Sequence, residues 1–218
     1  MNIFITQNTY YFVHRHFLRF FNKKNSEVIF VREKNRGIKR KYLEFVQTFG
    51  LLKTSYFFLM EIIYLCLLFP KQLKLKKTFV DDYKLNSFLA KKLTNKNFSR
   101  IISIGCPCLI DSKLQRKFEI EIFNLHGGII PFQKGRFSPI KAIKKNHKYL
   151  GASIHFIDET FDNGFIVSQD FFKVTNKNII FNYNKVLKLS SFLLEDFLKG
   201  NYKSIPTSIL NELKTKVI

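Results

Sequence analysis

Short apolar runs rich in Ile, Val and Phe recur along the chain, and segments with helical periodicity separate most of them. Runs of this length and composition are typical of β-strands. Strands that alternate with helices predict a parallel or mixed sheet covered by helices, which is an α/β fold. The runs are NIFIT (2–6), EVIFV (27–31), TFVDDY (78–83, a short strand and turn), RIISIG (100–105), IEIFNL (120–125), ASIHFI (152–157) and FIVSQD (165–170).

Helical segments fill the intervals between these runs. The first, YFVHRHFLRFF (11–21), places Phe-rich stripes on adjoining faces and completes a strand-helix-strand opening. Positions 36–69 are also predicted to be helical, and Asn86 or Ser87 is expected to cap the helix NSFLAKKL. Further helices are predicted at 111–117, at 139–146, and as a final pair joined near 200–206.

One domain is expected, because the chain has neither an internal repeat nor a low-complexity linker. Its 218 residues, 46% of them apolar, are enough to bury a core. We predict that residues 1–175 carry the sheet and the catalytic site. Residues 176–218 are predicted to form a short helical extension of the same domain.

The formal net charge is +21, carried mostly by Lys that is spread along the chain. Such a charge is compatible with nucleic acid, an anionic membrane surface or phosphorylated substrates, but the even spread favours a basic solvated surface.

The three cysteines, Cys66, Cys106 and Cys108, are odd in number and too few for a disulfide framework, so a reducing cytoplasm is expected. We expect no secretory signal and no metal, because neither a leader pattern nor metal-ligand spacing is found.

The apolar segment LLKTSYFFLMEIIYLCLLF (51–69) is nearly long enough to cross a bilayer. Lys53 and Glu61 interrupt it, and a central Glu costs a few kcal/mol in lipid. A helix packed on the domain or on a partner chain is the favoured interpretation. A helix lying in the membrane interface and a true span are the alternatives. We therefore predict that this helix does not cross a membrane.

The stretch FNLHGGIIPFQKGRFSPI (123–140) ends a predicted strand with two polar residues and two glycines. Residues two apart on a strand point to the same side, so Asn124 and His126 are expected to project together. An Asn amide donates hydrogen bonds, and a His near neutral pH gives or takes a proton. Together they suit a carbonyl that develops negative charge on its oxygen.

An acid-rich turn, which holds Asp158, Glu159 and Asp162, joins the last two predicted strands. A carboxylate from this turn could orient the His or receive a proton. This turn and the loops after RIISIG and IEIFNL are expected to line one crevice at the carboxyl ends of the strands. The remaining histidines are predicted to have no catalytic role, His155 as an ordinary strand residue and His14, His16 and His147 as solvated residues.

The segments NLHGGIIP, KGRFSPI and GASIHFIDETFDNGFIV together resemble the folate-dependent formyltransferases, which act on methionyl-tRNA, glycinamide ribonucleotide or sugar amines. The resemblance is dense over about 100–172 and diffuse over 1–99. It implies a Rossmann-like, mostly parallel twisted sheet with helices on both faces. It also implies formyl transfer from 10-formyltetrahydrofolate to a primary amine, with Asn124, His126 and Asp162 as catalytic residues. Gly127 departs from the family, since many relatives carry Pro or Ala there.

The resemblance also implies where the folate would bind. Its pterin ring would meet main-chain groups of the loop GCPCLI (105–110) and of the turn at 157–161. In this interpretation the cysteines fill the loop and are not nucleophiles. The candidate cofactor-binding residues are Cys106, Pro107, Cys108, Leu109, Ile157, Asp158 and Phe161.

Three amines are possible acceptors of the formyl group: methionyl-tRNA, glycinamide ribonucleotide and an amino sugar. A short stretch after the acidic turn disfavours a tRNA-binding domain, and TQNTYYFVHR replaces the Gly- and Ser-rich phosphate loop of glycinamide ribonucleotide enzymes. The residue pattern of 127–140 most resembles that of the sugar amine enzymes. This resemblance predicts a nucleotide-linked amino sugar as the acceptor. Lys134, Gly135 and Arg136 are candidate substrate-binding residues, unless they form a solvated basic loop. A non-catalytic folate-binding relative is a further alternative. The segment 51–69 is a candidate for a peripheral membrane contact or a homodimer contact.

Overall fold

The computed structural model describes residues 1–218 except 8–10, 22–24, 35–37, 73–76, 96–97 and 216–218. Its described strands form one seven-stranded sheet of order β3-β2-β1-β4-β5-β6-β7. The first five of these are parallel to one another, and β6 and β7 are antiparallel additions at one edge. The strands are β1 Asn2–Gln7, β2 Ser26–Arg32, β3 Lys77–Asp81, β4 Arg100–Ile104, β5 Glu121–His126, β6 Tyr149–Phe156 and β7 Ile166–Lys173.

Helices cover both faces of this sheet, which confirms the predicted fold class. The helices are α1 Tyr11–Phe21, α2 Ile38–Phe49, α3 Leu51–Gln72, α4 Leu85–Asn95, α5 Lys113–Phe118, α6 Ser138–Lys144, α7 Ile179–Leu198 and α8 Thr207–Lys214. On β1, Phe4 enters a core shared with α1 and α7, whereas Ile3 and Ile5 enter a second core shared with α4. Both faces of a strand are therefore apolar, as expected in a parallel sheet that is covered on two sides.

The stretch predicted to be helical at 36–69 holds two helices, α2 and α3, which are separated at Gly50, where φ is +82°. One detail of the predicted helices is wrong, the cap of α4. Asn86 and Ser87 both lie inside α4, so neither caps it. The Asn86 side chain accepts a hydrogen bond from the Asp111 N–H at 2.9 Å and donates one to the Leu109 carbonyl at 3.2 Å. Asn86 therefore holds the loop that follows β4.

Helix α7, which lies in the C-terminal segment, is part of the same core as the sheet. Its residues Leu193, Leu194 and Phe197 are buried in the cluster that contains Phe4. Removing this helix would expose the sheet face that it covers. The division at 175/176 stays a prediction.

Helix α3 packs on the domain with one side and exposes the other. Thr54 and Phe57 are buried, and Phe57 contacts Phe45 and Phe49 of α2. The side chains of Glu61 and of 64–69 lie outside the described residues. Among the helices that the structure describes, none is long and apolar enough to cross a membrane. The predicted lipid or partner contact of this helix stays a prediction. Its exposed apolar residues are Leu51, Leu52, Tyr56, Leu59, Ile62 and Ile63.

Candidate active site

A cavity of about 580 Å³ opens between the loops that follow β4, β5 and β6. This volume lies within the range of ligand pockets. The sequence predicted that these three loops share one crevice, and the cavity confirms it. All seven candidate cofactor residues line it: Cys106, Pro107, Cys108, Leu109, Ile157, Asp158 and Phe161.

One detail of the predicted crevice is wrong, because β6 is antiparallel to β5. The last residue of β6, Phe156, pairs with Phe123 in the middle of β5. The loop after β6 therefore does not start at the carboxyl ends of the parallel strands. It brings Asp162 to Asn124 and His126, and Asp162 adopts a left-handed conformation with φ of 54°. Asp tolerates this conformation better than most residues.

The three predicted catalytic side chains meet at one carboxylate oxygen. Oδ1 of Asp162 lies 3.2 Å from Asn124 Nδ2 and 3.3 Å from His126 Nδ1. The other oxygen, Oδ2, accepts a hydrogen bond of 2.8 Å from the Gly135 N–H. The acidic turn offered three carboxylates, and of these Asp162 contacts Asn124 and His126. Asp158 and Glu159 are exposed.

Gln133 and Ser138, which sequence reasoning missed, hold the far side of the His126 ring. His126 Nε2 lies 2.6 Å from the Gln133 carbonyl and 3.1 Å from Ser138 Oγ. A carbonyl only accepts, so Nε2 carries a proton and donates it. The Gln133 side chain is fixed in turn, because it accepts from Ile129 N at 3.1 Å and donates to the Tyr149 carbonyl at 2.8 Å. His126 is therefore held on both sides.

Burial lowers the pKa of His126, and the Asp162 charge and the Gln133 carbonyl oppose this shift. Both opposing groups are hydrogen-bond acceptors, so they stabilise the protonated ring. The neutral ring has to turn the lone pair of Nδ1 toward the Asp162 carboxylate. His126 is consequently placed to take up a proton and to return it.

His155 was predicted to be an ordinary strand residue; it lies in β6 and contacts one of the three predicted catalytic residues. It is 2% exposed and pairs across the strands with Asn124. Its Nδ1 lies 2.7 Å from the Phe156 carbonyl, so Nδ1 carries the proton and Nε2 accepts. Asn124 Nδ2 lies 3.1 Å from that Nε2. His155 therefore fixes which way the Asn124 amide points. The pairing of β6 with β5, which places it there, is not readable from periodicity.

The predicted solvation of two other histidines is also wrong. His147 is buried, and its Nδ1 lies 3.4 Å from Gln133 Nε2. His16 is half-buried, with Nε2 2.8 Å from Asn184 Oδ1, and burial lowers its pKa. His16 lies on α1 and His147 lies just after α6, and both helices pack against the core. The side chain of His14 lies outside the described residues.

The three candidate substrate-binding residues have different surroundings. Gly135 and Arg136 line the cavity, whereas Lys134 does not and donates to Asn163 Oδ1 at 2.8 Å. Arg136 Nη1 lies 3.4 Å from Glu33 Oε1 and 3.9 Å from a carboxylate oxygen of Glu44. Arg136 is therefore neutralised within the protein. Their role in substrate binding stays a prediction.

The environment of Asp162 predicts a pH-dependent contribution to stability. Burial raises its pKa, but the His126 charge and the hydrogen bond from the Gly135 N–H are among the effects that outweigh burial and lower the pKa to about 2. A carboxyl with a lowered pKa stabilises the fold above its unfolded pKa, and this stabilisation is lost as the pH falls toward 2. We expect it to amount to roughly 2 kcal/mol. Denaturant unfolding of the parent and Asp162→Asn should show a difference that shrinks by about this amount between about pH 5 and pH 2. A difference independent of pH over this range would contradict the assignment.

Gly128 is required because the chain passes too close to His126 for a side chain. A Cβ at this position would lie 2.8 Å from His126 Nε2 and 2.8 Å from Ser138 Oγ, and would press on the Gln133 carbonyl. We expect Gly128→Ala to lower the free energy of unfolding by roughly 1–3 kcal/mol. The neighbouring Gly127→Ala is the matched control, since its Cβ would meet Val186 at an ordinary 3.4 Å. Equal denaturation midpoints for the two variants would contradict the expected clash.

Known proteins resemble this chain in sequence and in fold. A family model described as formyl transferase matches residues 69–189. The phosphoribosylglycinamide formyltransferase of Haemophilus influenzae is 25% identical over 100 residues, which are 46% of this chain and 47% of that protein. The chain thus aligns with about half the length of this relative.

Solved structures of the same fold cover nearly the whole chain. The phosphoribosylglycinamide formyltransferase of Campylobacter jejuni has a TM-score of 0.60 at 15% identity, over 92% of this chain and 96% of that one. A 4-N formyltransferase from Francisella tularensis has a TM-score of 0.56 at 20% identity, over 94% and 72%. At these identities the likeness shows the fold, and the matched family model shows the ancestry. The chain belongs to the formyl transferase family.

Proposed function

We propose that this protein transfers the formyl group of 10-formyltetrahydrofolate to a primary amine. One observation carries the proposal: a single carboxylate oxygen of Asp162 lies within 3.3 Å of both the Asn124 amide and the His126 ring, at the wall of the cavity. An amide donor, a proton carrier and a fixed negative charge are the groups that attack on a formyl carbon needs.

The cavity suits a folate by its size and by its lining. The loop 105–110 and the turn 157–161 present main-chain groups together with Leu, Ile and Phe side chains. A pterin has an apolar ring and polar edges, which such walls can bind. When it is bound, the cofactor supplies the activated formyl group. All other steps fall to the side chains of the protein.

Asn124 and His126 are proposed to stabilise the charge that develops on the formyl oxygen. Asn124 Nδ2 now directs its hydrogens to His155 and Asp162, and His126 directs Nε2–H to Gln133. The reacting oxygen must therefore replace one partner. We expect the 3.3 Å contact of His126 Nδ1 with Asp162 to exchange, because the Nε2 bond of 2.6 Å is much shorter. Asp162, released from Nδ1, can then help carry away the amine proton.

The acceptor that we propose is the amino group of a nucleotide-linked amino sugar. Gln7 and Arg136 line the cavity and are linked by Glu33, which accepts from Gln7 Nε2 at 2.6 Å. Amide, guanidinium and carboxylate groups together suit sugar hydroxyls. Two carboxylates beside Arg136 disfavour a phosphate monoester at this position. Lys134, which is exposed beside Gly135, is the proposed contact for the diphosphate of the nucleotide-linked sugar.

Glycinamide ribonucleotide is the second candidate acceptor, because the Haemophilus influenzae relative is named for that reaction. The two acceptors are separated by comparing kcat/KM for a nucleoside-diphosphate-linked amino sugar and for glycinamide ribonucleotide, with 10-formyltetrahydrofolate as donor. We expect the sugar to be preferred, and Arg136→Met to lower kcat/KM for the sugar. Lys144→Met, an exposed Lys on α6, is the control. Preference for the ribonucleotide would overturn the sugar assignment and leave formyl transfer intact.

A further inference from the structure

Two thiols lie side by side in the wall of the cavity. Sγ of Cys106 and Sγ of Cys108 are 3.7 Å apart, and both residues line the cavity. We propose that Cys106 and Cys108 are an oxidation-sensitive dithiol, which a small-molecule disulfide converts into an intramolecular disulfide that weakens folate binding. The inference about folate rests on the proposed function, whereas the thiol chemistry does not.

The loop that carries the thiols is anchored at both of its ends. Asn86 binds the Leu109 carbonyl and the Asp111 N–H, so the chain after Cys108 is fixed to α4. Before Cys106, β4 ends at Ile104. Forming a bond of about 2.05 Å draws the sulfurs together by roughly 1.6 Å. The movement therefore falls on residues 105–108, which are part of the proposed pterin wall.

The two thiols differ in the way that the exchange requires. The hydrogen bond from Cys106 lowers the pKa of Cys108, whereas the same bond and burial raise the pKa of Cys106. Cys108 thiolate attacks one sulfur of the small disulfide, forms a mixed disulfide and releases one thiolate. Cys106 then loses its proton and attacks Sγ of Cys108, which releases the second thiol. Two protein thiols are oxidised, and one disulfide is reduced to two thiols.

The test treats the full chain with oxidised glutathione and follows intact mass, iodoacetamide labelling and folate affinity. We expect a product about 2 Da lighter, with two thiols per chain protected from label, and dithiothreitol should reverse the change. The oxidised protein should bind 10-formyltetrahydrofolate at least about tenfold more weakly, because its wall has changed shape. Folate added beforehand should slow the oxidation.

Single variants separate the two steps. Cys106→Ser should accumulate a stable glutathione adduct on Cys108, because the second attack is lost. Cys108→Ser should react much more slowly, and Cys66→Ser, on α3, should behave like the parent. No closure in the parent, or a bridge that includes Cys66, would overturn the dithiol. Closure with unchanged folate affinity would overturn the effect on binding. Reduced protein that binds no folate would instead refute the proposed function.

Discussion

Replacing His126 by Asn is expected to lower turnover roughly 10²- to 10⁴-fold, which is the usual contribution of general acid–base catalysis. Asn keeps a polar group at this position but cannot carry a proton between the amine and Asp162. The affinity for 10-formyltetrahydrofolate should change little, because the proposed pterin contacts are main-chain groups. Steady-state kinetics and equilibrium folate binding on the same preparation check both parts.

The control for this variant is His16→Asn, which changes a histidine that binds Asn184 and does not line the cavity. It should keep nearly parental turnover. His155→Asn is expected to cost roughly 10- to 10²-fold, because it loosens the group that orients Asn124. Normal turnover of His126→Asn together with a crippled His155→Asn would show that the wrong histidine has been placed at the centre of the site.

Replacing Asn124 by Ala is expected to lower turnover about 10²- to 10³-fold, through loss of one donor to the developing oxyanion. The same change also removes one hydrogen bond to Asp162 Oδ1. Because we propose that Asn124, His126 and Asp162 act as one unit, the double variant with His126→Asn should cost little more than the worse single variant.

Asn184→Ala is the matched control, since its partner His16 lies outside the cavity lining. A parental rate for Asn124→Ala, or fully multiplied losses in the double variant, would mean that the two side chains do not serve the same step.

The sequence predicted those parts of the fold and site that depend on local pattern. Both faces of β1 are apolar, so its strand and its burial follow from composition. Asn124 and His126 stand two residues apart at a strand end, and alternation alone places them on one side. The acidic turn was found because its residues have turn chemistry between two apolar runs.

The parts that could not be predicted depend on pairing between distant segments. Nothing in ASIHFI shows that it runs antiparallel to β5, yet this pairing sets His155 opposite Asn124. Gln133 contacts His126 through its main-chain carbonyl, which any residue type could supply. The break between α2 and α3 at Gly50 was also not predicted, because the residues on both sides of it have helical character.

The central claim is amine-dependent formyl transfer from 10-formyltetrahydrofolate, and one assay measures it directly. Purified protein is mixed with the donor and a panel of amines that contains nucleoside-diphosphate-linked amino sugars and glycinamide ribonucleotide. Tetrahydrofolate release is followed together with the mass of each amine. We predict that one amine gains about 28 Da, one formyl group per tetrahydrofolate released, and that His126→Asn suppresses both signals. Donor consumption at the same rate without any amine, or folate binding without a formylated product from the whole panel, would contradict the account.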